Sequence, residues 1–174
     1  MTPHLTDSLC TKCGLCCDGT LFADVELVGQ AEIAQLEIMG IDVEEEGTNA
    51  GLLSQPCAAL QGRRCGIYEH RPKCCREFEC HLLQSAQLGA VTVERAMEQI
   101  AVAQNQIERV RALLARLGNR DKALPLKERC AETLAGERGT TSEAIRNLRE
   151  LEAAMVTLEK TIWNTFLGGG RRRE

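Results

Sequence analysis

Four of the ten cysteines in this 174-residue chain fall within eight consecutive positions, Cys10-Thr-Lys-Cys13-Gly-Leu-Cys16-Cys17. Five more, Cys57, Cys65, Cys74, Cys75 and Cys80, follow before residue 81, and Cys130 stands apart. A disulfide needs two well-separated Cα atoms with converging Cβ vectors, which so dense a run serves poorly. Cysteines three apart can instead turn toward one centre, and thiolate selects zinc, Cu(I) and iron–sulfur clusters over hard cations. The density points to metal.

The rest of the composition agrees. Phe22, Tyr68, Phe78, Trp163 and Phe166 are the aromatic residues, so few side chains bring a large apolar area to a core. Ligand bonds can stand in for that shortage, since a structural metal supplies on the order of 10–16 kcal/mol in small zinc modules. Residues 1–85 carry six Lys/Arg against thirteen Asp/Glu, while residues 86–174 carry fifteen against twelve. An acidic cysteine-bearing half argues against a reader of phosphate backbones, and Arg171, Arg172 and Arg173 are too few to reverse this. The start lacks the charged and apolar regions of a secretory signal, and no apolar run reaches the ~20 residues of a membrane span. These features lead to an expectation of a cytoplasmic protein, with thiols kept reduced and free for metal.

The pattern predicts a mainly α fold: a small irregular cysteine-rich metal-binding domain with a short β-hairpin, followed by a helical hairpin. A helix is expected from Ala23 to Met39, on the spacing of Leu27, Ala31, Ala34 and Ile38, with Asp24 and Glu26 at its start and Gly40 at its end. Residues 41–51 read as an acidic loop. Leu52, Leu53 and Cys57 to Leu60 are expected to meet Cys65 to Tyr68 as a hairpin across residues 61–64. Arg71-Pro72 predicts a turn, and a helical turn or two then carries Cys74, Cys75, Phe78 and Cys80.

In the second half, Val93, Met97, Ile100, Ile107, Val110, Leu114 and Leu117 trace a helix from Thr92, its N-cap, to Gly118. Pro125 opens a short helix to Ala135. Residues 137–141 connect to a long helix over 142–167, striped by Ile145, Leu148, Leu151, Met155, Leu158, Ile162 and Phe166. The expected organisation is a cysteine-rich zinc- or iron-chelating domain over 1–85, a helical hairpin with a short intervening helix over 86–170, and a basic tail over 171–174.

Zinc and iron–sulfur clusters both take four cysteine ligands. Eight of the early cysteines could therefore fill two such sites or one binuclear arrangement. Adjacent side chains point apart in extended or turn geometry, so Cys16 and Cys17, like Cys74 and Cys75, are not expected to serve the same centre. Cys10, Cys13 and Gly14 fit a zinc knuckle, but no second such pair follows. Cys10, Cys13 and Cys16 match an iron–sulfur run with a remote fourth ligand, which tips the spacing argument toward a [4Fe–4S] cluster over zinc.

From Cys10 to Cys80 the chain resembles the CxxCxxCC cysteine-cluster family of zinc- or iron-chelating domains, which includes flagellin lysine N-methylase. The resemblance rests on the CxxCxxCC nest, a lone Cys57, and Cys65-Gly-Ile-Tyr68-Glu-His-Arg71-Pro72-Lys-Cys-Cys75-Arg76-Glu-Phe78-Glu-Cys80. It implies Cys10, Cys13, Cys16, Cys17, Cys57, Cys65, Cys75 and Cys80 as metal ligands. It leaves Cys74 and Cys130 outside the pattern, and the helical half as well.

Among the remaining residues, Tyr68 is expected in the core beside the site, where its phenol could also donate to a sulfur. Arg71 and Arg76 could offset thiolate charge or pair with Glu69, Glu77 or Glu79. His4 and His70 are scattered, and His81 is the one histidine placed to substitute as a ligand. The favoured function is a non-catalytic metal protein whose helical half docks a protein partner, with a homodimer through the Ile145–Phe166 stripe as an option. A methyltransferase-like enzyme is the alternative the family resemblance implies, although no Gly-rich nucleotide cradle is present. A thiol redox sensor using Cys74, Cys75 or Cys130 is the third reading.

Overall fold

A computed structural model of the chain describes residues 5–47, 49–136 and 141–169; His4 and the basic tail lie outside them. The chain divides into two compact units. One is drawn from Cys10–Phe78 with Lys122–Pro125; the other from the described residues up to Leu9, Glu79–Asp121 and the described part of Leu126–Glu174.

The cysteine-rich stretch is preceded and entered by helix α1 (Leu5–Cys13), with Asp7 in its first turn and Lys12 in its last, as the helix dipole favours. Strand β1 (Asp24–Val28) follows, where a helix was expected. Its residues alternate in exposure around buried Leu27, and the helix begins only afterwards, as α2 (Gln30–Ile38). Gly29, at φ 113°, is the break between them. The helical spacing through Leu27 was overridden by pairing with a strand some 25 residues on, which no local pattern can reveal.

The end of α2 is as expected. Gly40 takes φ 76°, and the Ile41 N–H donates to the Leu36 carbonyl at 3.0 Å while Gly40 N–H donates to Glu37. This Schellman closure brings Ile41 and Leu36 into the same apolar cluster. Strand β2 (Glu44–Glu45) lies within the expected acidic loop and pairs with β3 (Ala50–Ser54). The sheet order is β1-β3-β2, with Leu27 opposite Gly51 and Val25 opposite Leu53. Leu52 and Leu53 thus belong to this sheet and not to the hairpin. A two-residue edge strand with Glu44 exposed leaves little trace in hydropathy.

The expected hairpin is present and short: β4 (Leu60–Gln61) pairs with β5 (Arg64–Cys65), and Gly62, at φ 64°, makes its turn. A 3-10 turn at Tyr68–His70 leads through Arg71 and Pro72 into α3 (Lys73–Glu77). The core of this unit is small: Leu27, Ile33, Leu36, Ile41, Leu53, Cys57 and Ala59. Half-buried Cys17, Cys65 and Cys74 pack against it, so sulfur forms part of the interior. Phe22 meets Phe78 edge to face, ring centroids 4.9 Å apart.

The second unit is helical: α4 (His81–Gln87), α5 (Val93–Arg116), α6 (Leu126–Ala135) and α7 (Ser142–Thr161). Thr92 caps α5 by accepting from the Arg95 N–H, and Thr141 caps α7 by accepting from Ala144. Gly118 follows α5 at φ 87°. Helix α5 packs along α7, with α6 against both. Buried Ile100, Ile107, Val110 and Leu114 meet the expected stripe, with Ala96 and Ala103 on the same face. Ile145 departs from it and is 42 % exposed; α7 instead turns Asn147 and Leu151 inward. Beyond α7, Ile162–Phe166 widens into a π-helical turn, closed by Leu167 N–H on the Ile162 carbonyl, and both Ile162 and Phe166 are buried.

Arg129 is 7 % exposed within α6. Its Nε donates to Asn119 Oδ1 at 3.1 Å and its Nη2 to the Asn119 carbonyl at 3.2 Å, while Asn119 Nδ2 donates to Thr133 Oγ1. No helix among the described residues is long and apolar enough to cross a membrane.

Candidate metal centre

Helix α1 carries Cys10 and Cys13 three residues apart, hence on one face. It stops at Gly14, whose φ of 75° suits glycine, and whose missing Cβ matters more. A Cβ there would lie 2.9 Å from the Arg63 carbonyl oxygen and 3.1 Å from Arg63 Cα. Gly14 therefore lets the tip of the β4–β5 hairpin, which carries Cys65, press onto the cysteine nest. The chain then coils tightly, with the N–H groups of Cys17 and Asp18 both donating to the Gly14 carbonyl.

Cys57 is brought to the same place by its backbone. Its N–H donates to the Cys17 carbonyl at 2.9 Å and is shared with Gln55 Oε1 at 3.0 Å. Buried Gln55 is held in turn by donating Nε2 to the Leu53 carbonyl. Two sulfurs receive a backbone N–H from two residues ahead: Cys57 from Ala59, and Cys65 from Ile67. Each such contact favours thiolate.

The thiols influence one another. Cys17 donates its S–H to Cys65, which carries the Cys65 thiol down to about 6, with the Ile67 N–H and the nearby Arg71 guanidinium acting in the same direction against burial. The same hydrogen bond, burial and the neighbouring Cys16, Cys65 and Cys57 push Cys17 far up. Burial raises Cys57, opposed by the Ala59 N–H. Cys75 is pushed up to about 12 by burial first, then by Cys74, to which its thiol donates, and by Cys57 and Cys65. Four of the expected ligands, Cys17, Cys57, Cys65 and Cys75, thus form one interacting group.

Adjacent Cys74 and Cys75 were expected to point apart. They do not, because they sit on a helical turn, where neighbours are only about 100° apart around the axis. Cys80 has different surroundings: it precedes α4, where the N–H groups of Leu83 and Leu82 reach its sulfur and burial raises its pKa. Cys130, buried in α6, is raised to about 11 by burial. All ten cysteines are free thiols.

Arg71 lies over the Tyr68 ring, 3.6 Å from its centroid, with Nε donating to the Tyr68 carbonyl, and Arg76 donates to the Arg71 carbonyl. A pocket of about 390 Å³ opens beside the hairpin, lined by Gln61, Arg64, Cys65, Tyr68, Glu69 and His70 among others, so Cys65 is reachable from outside. His81 is exposed at the start of α4, where a Cβ on Gly168 would stand 3.5 Å from its ring.

A family model described as "Putative zinc- or iron-chelating domain", CxxCxxCC, matches residues 9–131. The chain belongs to the CxxCxxCC family. The match runs well past Cys80, so α5 and most of α6 are part of the family domain, contrary to the expectation that the helical half lies outside it. No curated protein and no solved structure matches the chain.

Does the donor set suit such an ion? Among the described residues no three Cys, His, Asp or Glu side chains are arranged around a point as a bound ion requires. The sulfurs instead spend their protons on each other, in the Cys17–Cys65 and Cys74–Cys75 hydrogen bonds. That is the arrangement expected of protonated thiols, since metal binding exchanges such protons for a cation. The donors are soft sulfur, they interact mutually, and two already accept N–H groups: the chemistry fits zinc or iron.

Proposed function

We propose that this chain is a metal-binding protein in which Cys17, Cys57, Cys65 and Cys75 supply four thiolates to a zinc or iron centre. The observation that carries the reading is the mutual interaction of these four sulfurs, drawn from three separate stretches of sequence. The backbone bond from Cys57 to Cys17 supports it, as does the approach of the hairpin over Gly14. When bound, the ion would neutralise thiolates that otherwise repel each other, and so join stretches that share only a small apolar core. The protein's own part is to hold those stretches in place, to donate the Ala59 and Ile67 N–H groups to sulfur, and to set Arg71 near Cys65.

The Cys10, Cys13 and Cys16 spacing supports a [4Fe–4S] cluster as the finer reading, with zinc as its competitor. Metal content per chain, measured with the absorption spectrum of an anaerobic preparation, tests both. A brown sample absorbing near 400 nm supports iron–sulfur, a colourless one with stoichiometric zinc supports zinc, and a metal-free chain that takes up neither ends the proposal.

The helical unit is read as the docking module. In support, Ile145 and Val156 are exposed on α7 eleven residues apart, which places them on one side of the helix. Retention of a partner that is lost on I145D/V156D substitution would bear this out, and retention unaffected by it would not.

A further inference from the structure

The family's cysteine pattern has no place for Cys74, yet its sulfur accepts the Cys75 S–H, and it packs half-buried against the apolar cluster that contains Cys57. We propose that Cys74 is a metal ligand of this chain, forming with Cys75 a vicinal dithiol clamp on the same soft ion. This rests on the reading of the cysteine group as a metal centre and adds a ligand to it.

The geometry is favourable. With zinc–sulfur bonds of about 2.3 Å, two thiolates of a tetrahedral site stand about 3.8 Å apart. Two sulfurs that share a hydrogen bond are separated by nearly that span, so removing the proton and admitting a cation asks little movement of either side chain. The structure contains two such pairs, Cys17 with Cys65 and Cys74 with Cys75. Cys57 interacts with members of both pairs.

Helix α3 is anchored so that the clamp faces the core. The Lys73 N–H donates to Glu32 Oε1 on α2 at 2.8 Å, and the helix packs against β1. Pro72, buried just ahead, sets its start. A fifth thiol is an asset where a centre must accept or surrender its ion, because one sulfur can bind as another leaves. It also biases the site toward soft cations, for which thiolate is the preferred donor.

The test is metal-dependent protection of individual thiols. Full-length protein, with and without one equivalent of zinc, is alkylated for timed intervals and each cysteine is scored by mass spectrometry. In parallel, zinc affinity of wild type, C74A and C130A is measured against a chromophoric chelator, with circular dichroism as the folding control. The expected result is that zinc slows labelling of Cys74 along with Cys75, that chelation restores it, and that C74A weakens zinc at least about tenfold while C130A does not. Protection of Cys57, Cys65 and Cys75 with Cys74 labelled equally in both states would overturn this inference and leave the centre standing. So would a protected Cys74 whose removal leaves zinc affinity unchanged, since that is shielding without ligation. If zinc and ferrous iron protect no cysteine at all, the metal centre itself is refuted, and this inference with it.

Discussion

The Cys57 N–H donates to the Cys17 carbonyl at 2.9 Å, joining two cysteines forty residues apart through their main chains. The bond does not depend on which side of each residue the sulfur takes. Two potential ligands are therefore neighbours before any ion arrives, and only side-chain rotation is left to complete the approach. Preorganisation of this kind lowers the ordering cost that metal would otherwise have to offset.

Cys57→Ser is expected to release metal, weakening it at least about tenfold, because a hydroxyl is a poor donor for a soft ion. Cys130→Ser is expected to leave metal content unchanged, since Cys130 lies within α6 among helical residues. Metal analysis of both purified variants decides the matter; equal loss from both would count against the assignment.

Gly14→Ala should be costly in two ways. The left-handed backbone alone costs about 1–2 kcal/mol for a residue with a side chain. The new Cβ would also press on the Arg63 carbonyl at 2.9 Å, forcing the hairpin tip to move. Denaturant unfolding should show the loss, and the metal-binding assay should show weaker retention, because the same hairpin carries Cys65.

Asn119→Ala is expected to destabilise the helical unit by about 2–3 kcal/mol, since it strips a buried guanidinium of acceptors. The strand of evidence is the pair of bonds from Arg129 to Asn119 at 3.1 and 3.2 Å, of which the side-chain one is lost. In the double variant N119A/R129M the deficit should shrink, because no charge is left buried. A double variant as unstable as the two single losses combined would show that the pair does not act together.

Alkaline stability should carry a signature of Cys130. Burial holds its thiol up to about 11 in the folded chain, against 9.0 for the free group. As pH rises past 9 the unfolded chain ionises this thiol first, which favours unfolding. The stabilisation is thus complete below pH 9 and lost as pH rises toward 11, by on the order of 2 kcal/mol. Lysines and Tyr68 titrate in the same range, so the comparison is with Cys130→Ala: its unfolding free energy should fall less steeply between pH 9 and 11 than that of wild type. Parallel slopes would contradict the assignment.

The helical half was readable because its signals are local. Thr92 and Thr141 sit where caps are needed, Gly118 where a helix must end, and Ile100, Ile107 and Val110 recur at helical spacing. The β1 strand was not readable, since Leu27, Ala31, Ala34 and Ile38 happen to keep helical spacing across the Gly29 break. Only the distant partner β3 reveals the strand. Within the cysteine group, sequence treats eight thiols as equivalents. The fold sorts them, gathering Cys17, Cys57, Cys65 and Cys75 and adding Cys74, which the spacing rule had set aside. Gly14 was legible as a glycine wanted after a Cys-x-x-Cys pair, but its observed task is to make room for Arg63.

The wide turn at Ile162–Phe166 has a consequence for how this end of the molecule tolerates change. From Ala154 the inward residues step by four, to Leu158, Ile162 and Phe166, and in an ordinary α-helix each such step would slip by about 40°. The looser winding reverses the slip and returns Phe166 to the interior. Removing one residue here would let the coil tighten to the regular form, yet would carry everything beyond it about 100° around the axis. An indel at this spot should therefore do more harm than most exchanges of one apolar side chain for another.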